Sequence, residues 1–163
     1  MVNKQQRKVS MRVGNLRLRK LADFLDKVPE YEFDYSTWSK GNLFKYWGEG
    51  YINAFMKRKI TTCGTTACAL GWAATMPYFN RLGLSPTVTG TPMCSDKSGT
   101  VRIGPFESAV KIFGLDFMEA RFLFSPDADH DGRHSPRARA SAKEVANHIR
   151  KFVEERNAKH ESK

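Results

Sequence analysis

The chain has 163 residues, of which 40% are hydrophobic and 12% aromatic, and a formal net charge of +10. That length suits one domain with a single buried core. No apolar run reaches the roughly 18–20 residues of a membrane span, and three cysteines are too few, and odd in number, for a disulfide scaffold.

The charge is unevenly placed. Residues 1–20 hold seven cations and no acid: Lys4, Arg7, Lys8, Arg12, Arg17, Arg19 and Lys20. Residues 133–163 hold nine cations against four acids, whereas 21–132 hold eleven against thirteen. Basic ends on a near-neutral body point to an anionic partner, with nucleic acid the commonest. The plain alternative is a solvated tail that aids solubility.

In chain order, residues 1–11 lack periodicity and read as a disordered basic arm without the apolar stretch of a secretory signal. The spacing of Val13, Leu16, Leu21, Phe24, Leu25 and Val28 predicts a helix over 13–28 with those side chains inward. Pro29 stops it. An aromatic stretch follows through Tyr31, Phe33, Tyr35, Trp38, Phe44, Tyr46 and Trp47. It reads as core beneath the first helix, with a base-stacking platform as the alternative. Residues 44–56 take no firm assignment, since Gly48 and Gly50 break the pattern.

Thr61 and Thr62 offer caps for a helix over 63–76. Its Ala67, Gly71 and Ala74 make a small-residue face that lets a neighbour approach closely, so this helix is expected at the centre. Residues 87–89 and 100–103 read as the two strands of a hairpin, with a long turn through Gly90, Pro92 and Gly99. Pro105 opens a short helix and Gly114 closes it. Asp116 with Glu119, and Ser141 with Glu144, are capping boxes for two more helices. The last carries Val145, Ile149, Phe152 and Val153 as an apolar stripe and gives way to a polar tail after Arg156.

Three constellations bear on chemistry. Cys63 is placed at a helix start, where the dipole and free N–H groups favour thiolate. A nucleophilic cysteine needs a base, and all four histidines (His130, His134, His148, His160) fall in the last 34 residues. Cys63 and Cys68 are therefore read as packing residues. Asp127, Asp129, Asp131 and Gly132 match the first half of a calcium loop, but Ala138 stands where the bidentate Glu belongs. No Walker A, GxGxxG, HExxH, zinc-finger or RNP pattern is present. No metal or other cofactor is expected.

The stretch Cys63-Gly64-Thr65-Thr66-Ala67-Cys68-Ala69-Leu70-Gly71-Trp72-Ala73 resembles the signature of a family of small proteins from bacteria and their phages. Phe33-Asp34 with Trp38, Phe113-Gly114-Leu115 with Leu123-Phe124, and Val145-Ala146 with Ile149-Arg150 and Phe152 extend the likeness over roughly residues 16–154. The resemblance implies a phage or prophage setting and carries no catalytic role. The basic arm and the Asp127–Gly132 turn depart from the family's pattern.

The expected fold is α+β and mainly helical, with about five helices around a central small-residue helix and one β-hairpin. The globular part spans 12–156, between the arm of 1–11 and a tail of 157–163. The expected function is non-enzymatic association with nucleic acid or a nucleoprotein assembly in a reducing cytoplasm. Lys4, Arg7, Lys8, Arg12, Arg17, Arg19 and Lys20 would contact phosphates. Two alternatives stay open: a host-directed protein–protein module that meets an acidic host or virion surface, and a thiol enzyme using Cys63.

Overall fold

The computed structural model describes residues 9–35, 39–40, 66–87, 90–95 and 102–161. Among these residues the fold is α+β and mainly helical. Six helices accompany three small antiparallel sheets. The helices are α1 (Met11–Leu25), α2 (Ala69–Thr75), α3 (Pro77–Asn80), α4 (Pro105–Phe113), α5 (Phe117–Phe124) and α6 (Ala142–Glu161). The strands are β1 (Ser39–Lys40), β2 (Thr66–Ala67), β3 (Leu84–Pro86), β4 (Pro92–Ser95), β5 (Arg102–Ile103), β6 (Asp129–His130) and β7 (Arg133–His134). Residues 44–56, left without an assignment above, and Trp38 and the cap positions Thr61 and Thr62 lie outside the described residues.

Helix α1 begins where the Ser10 hydroxyl accepts from Val13 N–H. Its buried stripe is Gly14, Leu18, Leu21, Ala22 and Leu25, a tighter fit to helical period than the stripe expected from sequence. Val13 and Leu16, expected in the core, are instead exposed. The helix also stops at Leu25, short of Val28.

The buried stripe of α1 packs against α6, which runs antiparallel to it. Asn15 Nδ2 donates to Asn157 Oδ1 (2.7 Å) near one end of the pair, and Arg150 reaches Asp23 (2.9 Å) near the other. Helix α6 continues to Glu161, so residues 157–161 are helical and not a free tail. Gly14 lies where α1 crosses the end of α4: a Cβ there would sit 1.9 Å from the Phe113 carbonyl oxygen.

The small-residue helix is central, as expected: Ala69 to Ala74 are all buried. It is shorter than expected and starts later. Thr66 and Ala67 form β2, which pairs with β1 (Ser39 opposite Ala67, Lys40 opposite Thr66) and bridges to Phe33. Cys68 is the N-cap, its Sγ accepting from Gly71 N–H. Around α2 the core is aromatic: Phe79 meets Phe113 edge-on (5.3 Å between centroids), and Phe113 meets Phe124 (5.5 Å).

The expected hairpin is a three-stranded meander, β3-β4-β5. Pro92–Ser95, expected in the turn, is the middle strand, with Cys94 opposite both Leu84 and Ile103. Pro92 is tolerated because it opens the strand. Ser108 of α4 locks this sheet in place: its hydroxyl accepts from Cys94 N–H (2.7 Å) and donates to the Ile103 carbonyl (3.1 Å). Both capping boxes form, Asp116 with Glu119 and Ser141 with Glu144.

Candidate nucleic-acid interface

Helical geometry sorts the cations of α1. Each residue turns the chain about 100°, so Arg12, Leu16, Arg19 and Lys20 fall on the side opposite the buried leucines. Arg12, Arg19 and Lys20 are exposed there. Among the described residues, no ion pair involves Arg12 or Arg19. Lys20 keeps its ammonium 5.0 Å from the ring centroid of Tyr78, a cation–π contact that leaves it at the surface. Leu16, 60% exposed, lies between these cations.

Arg17 behaves differently. It faces the end of α4, where carbonyls lack helical partners, and its Nη1 donates to the Ile112 carbonyl (2.6 Å). Its Nε is buried without a hydrogen-bond partner among the described residues. Of the seven expected phosphate contacts, then, three share one outward face and one is turned inward; Lys4, Arg7 and Lys8 lie outside the described residues.

Of the eight described C-terminal cations, four are tied to acids. Arg150 spans Asp23 and Asp26 of α1, and its hydrogen bond holds the Asp26 carboxyl below the usual range. Arg133 pairs with Glu155, Lys159 with Asp131 (3.6 Å) and Arg156 with Glu119 (3.6 Å). Arg156 also donates to Asn15 Oδ1 (3.1 Å) and the Gly114 carbonyl (2.6 Å). Arg17 and Arg156 thus satisfy carbonyls at the end of α4 from two sides. Arg137, Arg139, Lys143 and Lys151 are exposed and enter none of these ion pairs.

The acidic turn closes as a two-residue hairpin. Asp131 (φ 51°) and Gly132 (φ 72°) both take left-handed backbone, the Asp-Gly arrangement that suits β-hairpins. The carboxylates meet protein cations and histidines: Asp129 bonds His134, and Asp131 faces Arg133, Lys159 and His130. Ser135 ties the base of the hairpin to Ser125 and Ala128. Among the described residues no group of three metal-ligating side chains converges.

Cys63 lies outside the described residues. Cys68 and Cys94 are buried, and burial pushes both thiols up, Cys68 to about 11. Of the aromatic stretch, Phe33 and Tyr35 are core and Tyr31 is exposed; Trp38, Phe44, Tyr46 and Trp47 lie outside the described residues. The Tyr35 hydroxyl donates to the Leu123 carbonyl (3.0 Å). Glu32 is 1% exposed, with neither carboxylate oxygen hydrogen-bonded among the described residues.

Sequence reasoning missed Leu16 as part of an outward surface. The signal was present: Arg12, Leu16 and Arg19 share one face at i, i+4, i+7, opposite Leu18, Leu21 and Leu25. Among the described residues no helix is long and apolar enough to cross a membrane. The chain matches no protein-family model, no curated protein and no solved structure.

Proposed function

We propose that the chain is a non-enzymatic binding protein that associates with nucleic acid, or a nucleoprotein assembly, through its basic N-terminal region. The observation that supports this reading is the outward face of α1. Arg12 and Arg19 have no acid partner there among the described residues, and Lys20 stands beside them, whereas four of the eight described C-terminal cations, Arg133, Arg150, Arg156 and Lys159, are paired with acids. Lys4, Arg7 and Lys8 precede this helix and would extend its charge. Phosphate contacts of this kind release counterions and fall steeply with salt.

The test is anisotropy of labelled nucleic acid across about 50–300 mM salt, comparing the full chain with one lacking residues 1–8. The truncation ends before Val9, which packs against Gly114, and so leaves the cap of α1 intact. Weaker binding and a flatter salt slope are expected. Equal affinity and slope would remove the arm from the interface.

A second reading is favoured by Leu16 and Val13. Exposed aliphatic side chains among cations also suit an acidic protein surface, as in a host-directed interaction module. Co-purification after nuclease treatment separates the two readings: a partner retained without nucleic acid supports the second.

A further inference from the structure

We infer that α1 docks lengthwise in the major groove of duplex nucleic acid, with Leu16 toward the base edges and its cations reaching the phosphates on either side. This rests on the nucleic-acid reading and adds the form of the ligand and the element that meets it.

The outward face of α1 carries an apolar centre and charged flanks. Arg12 and Arg19 are seven residues apart, two helical turns or about 10 Å along the axis. They line one flank, and Lys20 lies on the other, about 100° around the helix from Arg19. Leu16 stands between the flanks and is the most exposed side chain of the ridge's apolar residues at 60%. A helix of about 10–12 Å diameter fits a B-form major groove about 12 Å wide, whose walls are phosphates. A leucine at the groove floor makes apolar contact with thymine methyl groups.

Charge complementarity therefore selects a polyanion with charge on two sides of an apolar-tolerant floor. The one acid of this outward stretch, Asp23, is held by Arg150 at 2.9 Å and does not stand alone against phosphate. Tyr78 lies half-buried under the Lys20 ammonium, but among the described residues the outward side chains of α1 itself include no aromatic. The described exposed aromatics, Tyr31 and Phe117, belong to other elements. Single-strand binding relies on aromatic stacking platforms, so this face favours duplex over single strand.

The experiment measures anisotropy of a 20-base-pair DNA duplex and of one of its strands alone, for the full chain and for Leu16→Glu. The expected result is at least about tenfold tighter binding to duplex than to strand. Methyl green, a major-groove ligand, should compete for the duplex, and netropsin, a minor-groove ligand, should not. Leu16→Glu should lose about tenfold on duplex, with its thermal midpoint unchanged because the residue is exposed. Equal or tighter binding to the single strand, competition by netropsin alone, or an unaffected Leu16→Glu would each overturn groove docking and leave the nucleic-acid reading intact. Absence of binding to either form overturns both. Binding to anionic phospholipid vesicles without binding to duplex would make the face a membrane-surface element and likewise overturn both.

Discussion

Helices α1 and α6 are both basic and lie antiparallel against each other, yet most of their arginines serve different ends. On α6, Arg150 and Arg156 hold the fold together: one clamps Asp23 and Asp26, the other caps the end of α4 and reaches Asn15. On α1, only Arg17 is used in this way, and Arg12, Arg19 and Lys20 face solvent. The contrast shows that net charge does not locate an interface. A cation already paired within the fold is a weaker candidate for a partner than one displayed without an acid beside it.

The largest effect is expected where α1 is positioned against its neighbours. Gly14→Ala places a methyl group against the backbone of Phe113, which cannot move aside without shifting α4. A loss of about 3 kcal/mol is expected from such overpacking, measurable as a lower urea midpoint with unchanged slope. Stability within about 0.5 kcal/mol of wild type would show that α1 does not sit so close.

Within α1 the contrast sharpens to two neighbours. Arg17→Ala leaves the Ile112 carbonyl without its donor and should cost about 1–2 kcal/mol. Arg19→Ala should stay within about 0.5 kcal/mol, as exposed substitutions do. Equal effects in thermal unfolding would erase the distinction between structural and displayed arginines.

Glu32 offers a smaller effect of opposite sign. Burial raises its carboxyl above the usual value of 4.5. Below that value the group is neutral in both folded and unfolded chains. As pH rises through the folded-state pKa, the buried charge weakens the fold, an effect that the neighbouring Tyr31 offsets only in part. Glu32→Gln should therefore stabilise the protein at pH 7 by about 1 kcal/mol and have little effect below pH 4. A destabilised variant at pH 7 would show that the carboxylate has a favourable partner.

The smallest effect concerns α6. Burial lowers the His148 pKa below 6.5, and its Nε2 hydrogen-bonds the Phe122 carbonyl. The unfolded chain takes up the proton first, so stability should fall as pH drops below about 6.5. His148→Gln should flatten that part of the pH–stability curve. A variant with the same slope as wild type would assign the effect elsewhere.

Much of the fold was legible because the signals are local. Ser141 with Glu144, Asp116 with Glu119, and Pro105 with Gly114 each lie within one helix and its caps. The register of α1 was harder, since Val13 and Leu16 compete with Leu18 and Leu21 for the inward side. Packing against α6 and α4, far away in sequence, decides between them. The start of α2 depends likewise on β2 pairing with β1 and Phe33, which no local pattern shows. At the candidate interface the basic residues of α1 were legible as charge. Their division was not, because the partners of Arg17, Arg150 and Arg156 stand 95, 124 and 141 residues away.

The most direct measurement compares two triple variants of equal charge in duplex binding at matched salt. One is Arg12→Gln, Arg19→Gln, Lys20→Gln; the other is Arg137→Gln, Arg139→Gln, Lys143→Gln, three exposed cations outside α1. The first should lose affinity and flatten the salt slope by up to about three, one for each phosphate contact removed, while the second should retain most of both. Equal losses would mean that total charge alone drives association and that α1 holds no interface.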